Sequence, residues 1–252
     1  MIHAVLTDLG DTLVYLSRPW DDVFRDNLDS TYAYLKKVGL ESDFQEFAEQ
    51  FISEFEHASA TSQLYKVEVP MQDIVSRVLR KVKLRDRDGT LVPKAIMEFY
   101  KPEIAAWDLY PDTMATLIAL RDDGLKMGLI SNSKSDWAVR AILEKHGLSK
   151  FFRVILTSAA LHMRKPRLDV FLRALTALDA KPSTTVFIGD SLQADVIGAK
   201  TAGIRTIYLL RKPGDNSHFV VPDVTVTSLT DALNQITAWN HTSLGSIPST
   251  TE

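Results

Sequence analysis

The sequence predicts an α/β protein, a three-layer sandwich around a parallel sheet that carries an inserted helical unit. Three observations lead there. Short apolar runs such as "KMGLI", "VILT" and "TVFIG" have the length and composition of strands buried on both faces. From Tyr110 onward these runs alternate with stretches of helical period, the mark of repeated strand–helix units. Between the first strand and the run at Lys126 the periodicity is almost entirely helical.

In chain order, Ile2 to Leu6 reads as a buried strand ending at Thr7 and Asp8. "WDDVFRDNLDSTYAYLKKVGL" reads as a helix, with Val23, Leu28, Tyr32 and Leu35 near one face and Gly39 as its stop. A second helix starts at Ser42, and its stripe of Phe44, Phe47, Phe51 and Phe55 is read as core packing. Pro70 opens a third, and "PKAIMEFYKPEIAAW" a further helical piece punctuated by Pro93 and Pro102. Then come the helix "PDTMATLIALRDDG", the strand "KMGLI", the helix "SDWAVRAILEKHG" and the strand "VILT". The helix "RLDVFLRALTALDA", the strand "TVFIG", the helix "QADVIGAKTAG" and the strand "RTIYLL" follow. A short strand "VTVTS" and the helix "LTDALNQITAW" close the series. The expected division is a core of residues 1–15 and 108–240, a helical unit of 16–107, and a frayed Ser/Thr-rich tail of 241–252.

The chain has 252 residues, 45% hydrophobic and 24% charged, which is enough for one large or two modest globular domains. Its net charge of −3 offers no basic surface for nucleic acid or an anionic membrane. There is no cysteine, so disulfides, thiolate catalysis and thiolate metal sites are excluded. With no leader and no membrane-length run in sight, the expectation is a cytoplasmic protein, monomer or dimer.

Chemistry-bearing residues fall at the ends of the predicted strands. Asp8 follows the first strand; it either caps a turn or acts as a nucleophile toward phosphorus. Ser131 and Asn132 follow "KMGLI", where a hydroxyl and free backbone N–H groups can grip phosphoryl oxygens, although an N-cap is the simpler role. Lys165, before Pro166, is either a solvated lysine or a held ammonium that neutralises Asp8 and a transferring group. Asp190 ends "TVFIG", and Asp195 lies about a turn into the next helix. Two carboxylates without a nearby His or Cys favour a hard oxygen-loving cation, hence Mg²⁺; the alternative is compensation of the helix dipole.

"DLGDTL", "LISNS", "KPRLDVF" and "GDSLQAD" in this order resemble the signatures of the haloacid dehalogenase-like (HAD) hydrolase superfamily. The resemblance covers the core, and the helical insert sits where subfamily I members carry a C1 cap. It implies a Rossmann-like core and a phosphatase with Asp8 as nucleophile and Lys165 beside it. It also implies phosphate binding by Ser131, Asn132 and Gly10, and Mg²⁺ held by Asp8, the Gly10 carbonyl, Asp190 and Asp195. The substrate would be a small phosphorylated metabolite, met by cap residues among which Arg18, Tyr15 and Trp20 are the candidates. Hinges are expected near Leu16–Pro19 and Trp107–Pro111.

One position departs from the pattern. Most phosphatases of the family carry an acid/base Asp two residues after the nucleophile, and Gly10 stands there instead. Asp11 follows, where glycine is usual; it either reaches the leaving group through a shifted loop or only ties the loop down, and the second reading is preferred. Loss of such an acid typically costs about 10²–10⁴ in rate, so the expected enzyme is weak or biased to good leaving groups. Two alternatives remain: a metal-independent 2-haloacid dehalogenase, whose leaving halide needs no proton, and a degenerate member that binds a phospho-ligand without turnover.

Overall fold

The computed structural model describes residues 1–211 and 220–244. Its strands, in chain order, are β1 (Ala4–Thr7), β2 (Val14–Leu16), β3 (Trp107–Leu109), β4 (Lys126–Ser131), β5 (Val154–Thr157), β6 (Thr185–Gly189), β7 (Arg205–Leu209) and β8 (Val224–Val226). Six of them form one sheet in the order β5-β4-β1-β6-β7-β8, parallel at every pairing. The chain builds outward from β1 on one side, then returns to build on the other. Loops leaving β1, β4 and β6 therefore diverge at a topological switch point, where open α/β sheets place their ligand crevice.

Both faces of the sheet are covered, as the apolar runs require. Val186 and Ile188 of β6 pack in one layer with Leu117 and Val139, while Phe187 between them packs in the other with Phe171 and Leu175. That alternation is the two-residue period of a strand with a hydrophobic layer on each side.

Four helices make the cap: α1 (Trp20–Lys37), α2 (Phe44–Tyr65), α3 (Met71–Lys81) and α4 (Leu91–Ala106). Asp43 caps α2 by accepting from the Glu46 N–H at 2.9 Å, one residue beyond the expected start at Ser42. The phenylalanine stripe is core: Phe47 and Phe51 are fully buried, and Phe51 stacks on Phe99 of α4 at 5.0 Å. The two prolines do not divide α4. Pro93 lies in its first turn, where an N–H has no intrahelical partner, and Pro102 forfeits a single hydrogen bond further along.

The core helices are α5 (Thr113–Asp122), α6 (Asp136–Lys145), α7 (Ser158–Leu161), α8 (Leu168–Leu178), α9 (Ile197–Thr201) and α10 (Leu229–Leu244). Gly124 and Gly147 end α5 and α6 in left-handed backbone, as their positions suggested. Of the expected tail of 241–252, the first four residues continue a helix. Helix α10 runs through Leu244, and the Asn240 side chain accepts from the backbone N–H of Ile2. The rest of the expected tail, 245–252, lies outside the described residues. Among the described residues no helix is long and apolar enough to cross a membrane.

The short helix α7 was not expected, and neither was a two-stranded ribbon. β2 and β3 form an antiparallel ribbon with Val14 opposite Leu109, Tyr15 opposite Asp108 and Leu16 opposite Trp107. Three-residue strands are too short to show a period, so the sequence pattern is silent there. The expected boundaries at 15/16 and 107/108 pass through this ribbon. Ser17 fastens its end, with both its N–H and its hydroxyl on the Ala106 carbonyl at 2.9 and 2.8 Å.

Candidate active site

Asp8 directly follows β1, and its own N–H donates to the Ile188 carbonyl at 3.0 Å, so the sheet ladder aims it into the crevice. Asp190 directly follows β6 and accepts from the Thr12 hydroxyl at 3.4 Å. Asp195 lies in a wide helical turn of π type, Leu192–Val196, which precedes α9. Its Oδ2 accepts from the Ser191 N–H at 3.0 Å. The carboxyl fills the space where a side chain on Gly189 would begin, so only glycine fits at that strand end.

Lys165 reaches the centre of this group from the loop between α7 and α8. Its Nζ stands 2.7 Å from Asp8 Oδ1 and 2.6 Å from Asp195 Oδ1, and the residue is buried. Asn132 holds the loop in place: its Oδ1 accepts from the Lys165 N–H at 2.9 Å, and its Nδ2 donates to the Lys165 carbonyl at 3.1 Å. The side chain of Asn132 is thus spent on the lysine, which leaves backbone groups of the β4 turn to meet a ligand. Ser131 ends β4, buried beside them. The cap of α6 is Ser135, whose hydroxyl accepts from the Ala138 N–H at 3.2 Å, so Ser131 is not needed for that role.

The charges explain the site's chemistry. Burial pushes the Asp190 carboxyl well above the usual carboxylate range, and the charges of Asp8, Asp195 and Asp11 push it further. Burial raises Asp195 as well, with Lys165 pulling the other way. Burial alone would lower Lys165, yet Asp195 and Asp8 outweigh it and hold the ammonium above the ordinary lysine value. One fixed ammonium does not balance three acids. Oxygens of Asp8, Asp190 and Asp195 all lie within 4.8 Å of one another. An all-oxygen donor set with surplus negative charge fits a hard divalent cation.

Above Asp8 lies a cavity of about 330 Å³, which Lys165, Asp195, Ser131 and Asn132 also line. Its cap side is formed by Glu103 and Trp107, at the C-terminal end of α4. The Trp107 ring covers Gly10, its edge 3.3 Å from where a Cβ would stand. The Trp107 carbonyl receives the Lys145 ammonium at 2.7 Å and meets His146 Nε2 at 2.9 Å. A lysine on the last carbonyls of a helix is favourable, and here it fixes the tryptophan.

The cap is clasped to the core at a second point. Glu68, between α2 and α3, buries its carboxylate among core groups. Ser158 donates to it at 2.7 Å, Lys134 lies at 3.3 Å and Arg164 at 3.4 Å. Arg164 also lines the cavity and directly precedes Lys165.

The cap residues singled out from sequence lie elsewhere. Arg18 pairs with Asp26 at 2.7 Å, each side chain roughly half exposed. Tyr15 packs on Tyr110 at 4.9 Å, and Trp20, exposed, on Phe24 at 5.7 Å. None of these three lines the cavity, and neither does Asp11. Asp11 takes φ +52°, left-handed backbone that glycine adopts freely and Asp tolerates, and its charge is felt by Asp190 and Tyr110. Sequence reading missed Glu103, Trp107 and Glu68. Trp107 begins an expected hinge and Glu103 lies one helical turn before it, which is the one signal that could have raised them.

The sequence profile described as haloacid dehalogenase-like hydrolase matches residues 20–209. A glyceraldehyde 3-phosphate phosphatase of Methanopyrus kandleri is 29% identical over 224 residues, 84% of this chain and 85% of that protein. The crystal structure of a 2-haloacid dehalogenase from Pseudomonas syringae pv. tomato superposes with TM-score 0.71 at 20% identity, covering 95% of this chain and all of that one. A HAD phosphatase from Thermococcus onnurineus gives 0.66 at 24% identity, covering 93% and 98%. At those identities the two structures speak for the fold alone. The profile spans most of the chain: the protein belongs to the haloacid dehalogenase-like hydrolase family.

Proposed function

We propose that the protein is a Mg²⁺-dependent phosphatase of a small phosphorylated metabolite, working through an acyl phosphate on Asp8. The observation that supports this most is the Lys165 ammonium set between Asp8 and Asp195, with Asp190 close enough to share a cation with both. The phosphatase name of the Methanopyrus protein agrees with it. The cavity volume suits a metabolite of a few carbons.

The chain's own residues supply most of the chemistry. Backbone N–H groups of the β4 turn and the Ser131 hydroxyl bind phosphoryl oxygens. Lys165 pairs with Asp8 and offsets charge that builds on the transferring group. Asp8 attacks phosphorus, and water then releases phosphate from the acyl phosphate. Bound by Asp8, Asp190, Asp195 and the Gly10 carbonyl, Mg²⁺ would supply the charge that lets an anionic nucleophile approach an anionic phosphate. Gly10 has no proton to give, so position 10 cannot protonate a leaving group.

The test is phosphate release from acetyl phosphate, p-nitrophenyl phosphate and a set of sugar and triose phosphates, with and without Mg²⁺. The expected outcome is Mg²⁺-dependent release that Asp8→Asn abolishes. Equal release by that variant removes the nucleophile. Halide release from 2-chloropropionate without metal would replace the reading with dehalogenation. Stoichiometric beryllofluoride binding with no turnover would replace it with a binding role.

A further inference from the structure

We infer that Glu103, on the cap helix α4, is the proton donor that position 10 does not provide. This rests on the phosphatase reading above. Glu103 lines the cavity that holds Asp8, on its cap side, where the leaving group of a phosphate ester attacked by Asp8 must lie. The Trp107 indole joins the two places. Its Nε1 donates to Glu103 Oε1 at 3.4 Å, and its far ring edge covers the Cα of Gly10. Asn27 of α1 donates to the other oxygen at 3.3 Å. Both donors are fixed, Asn27 by complete burial and Trp107 by the Lys145 and His146 contacts at its carbonyl.

The protonation state suits the task. Glu103 keeps some surface where it meets the cavity, but protein surrounds its carboxyl, and burial lifts it to about 7 while the bonds from Trp107 and Asn27 offset that only in part. An acid of that strength gives and regains a proton near neutrality. Among the described residues the ionisable groups that face it are Tyr100 on its own helix and, across the cavity, Asp8, Lys165, Asp195 and Arg164. None of these can serve instead. Asp8 forms the new bond, Lys165 and Asp195 are locked in their ion pair, and Arg164 does not release a proton.

In the first step an Asp8 oxygen bonds to phosphorus, the bond from phosphorus to the ester oxygen breaks, and that oxygen takes the Glu103 proton. In the second, water attacks the acyl phosphate and gives a proton to the Glu103 carboxylate. Inorganic phosphate and the Asp8 carboxylate leave as the starting state returns.

The experiment uses the full chain with Mg²⁺ and compares wild type with Glu103→Gln and Glu103→Asp. Triose and glycerol phosphates test poor leaving groups, and p-nitrophenyl phosphate a good one. The expected result for Glu103→Gln is a loss of about 10²–10⁴ in kcat/KM on the alkyl esters. p-Nitrophenyl phosphate should give one rapid equivalent of nitrophenolate per protein and then slow turnover, with partial recovery in Glu103→Asp. For wild type, kcat/KM on alkyl esters should fall above about pH 7, and the variant should lose that limb. The Trp107 indole N–H resonance should titrate over the same range and stop titrating in Glu103→Gln. Asp8-dependent turnover that Glu103→Gln leaves unchanged, or slows equally on all esters with no burst, overturns the role of Glu103 alone. A wild type with no Asp8-dependent turnover brings down the phosphatase reading as well.

Discussion

The ring edge of Trp107 stands 3.3 Å from the point where a Cβ on Gly10 would begin, so the indole occupies the space that a side chain at position 10 would enter. The missing acid and the tryptophan are two sides of one packing arrangement. Gly10→Ala should therefore be destabilising by about 1 kcal/mol, the lower end of overpacking costs. In a Trp107→Leu background the same substitution should cost almost nothing. A double-mutant cycle by urea denaturation reads the coupling, expected at about 0.5–1 kcal/mol; additivity would show that the ring simply moves aside. For the same reason Gly10→Asp alone should not create an efficient acid.

Among the described residues Lys165 is the one ammonium set among the acids, and its replacement by methionine leaves them without a fixed counter-charge from those residues. Lys165→Met should cost about 3–5 kcal/mol at pH 8, as loss of one partner of a buried ion pair does. Asp190 and Asp195 already sit above the ordinary carboxylate value, so mild acid neutralises them and the cost should shrink toward pH 5. Activity should fall by about 10³ or more even where the variant is folded. Urea melts at the two pH values, with and without Mg²⁺, check this; a cost independent of pH would mean that the lysine contributes packing rather than charge.

The contrast between these residues shows how much the sequence reveals. Asp8, Ser131 and Asp190 were legible as neighbours because each ends or follows a run whose composition marks a buried strand, and a parallel sheet must bring such ends together, whereas Lys165 lies beyond β5 and α7. The four cap helices were legible from apolar period alone, down to the buried faces of Phe47 and Phe51. Glu103, Trp107 and Glu68 were not. Their neighbours in space, Gly10, Lys145, Lys134 and Ser158, come from distant parts of the chain, and no period or spacing encodes how a helical insert lies on its core. Arg18 and Trp20 erred in the opposite direction: proximity in sequence to the nucleophile suggested cavity contacts, but α1 directs them to Asp26 and Phe24.

Glu68 ties the cap to the two loops that carry Asn132 and Lys165. Glu68→Ala would leave Lys134 and Arg164 without their shared carboxylate, and burial already lowers Lys134 against the pull of Glu68. The expected loss is about 3 kcal/mol, with Glu68→Gln costing less because its amide oxygen still accepts from one of Ser158 and Ser62. The cap should also open more readily. Limited proteolysis within residues 66–70 and a raised KM with kcat changed less are the readouts, and unchanged proteolysis would show that the β2–β3 ribbon alone holds the cap.

The same glutamate that is inferred to donate a proton should mark the pH dependence of folding. Glu103 titrates near 4.5 when exposed and at about 7 in the folded protein. Between those values the folded chain holds a proton that the unfolded chain has released, so this residue's contribution falls as pH rises and levels off once the folded carboxyl is ionised. The full shift would be worth about 3 kcal/mol; surface open to the cavity reduces that to roughly 2 kcal/mol. Glu103→Gln lacks the titration, while Asp190 and Asp195 titrate in both proteins and cancel in the difference. The stability of the variant relative to wild type should therefore climb by roughly 2 kcal/mol between pH 4.5 and pH 8, measured by urea denaturation with Mg²⁺ held constant. A flat difference would mean that the carboxyl is hydrated and ionises like an exposed one, and it would remove the acid from neutral pH.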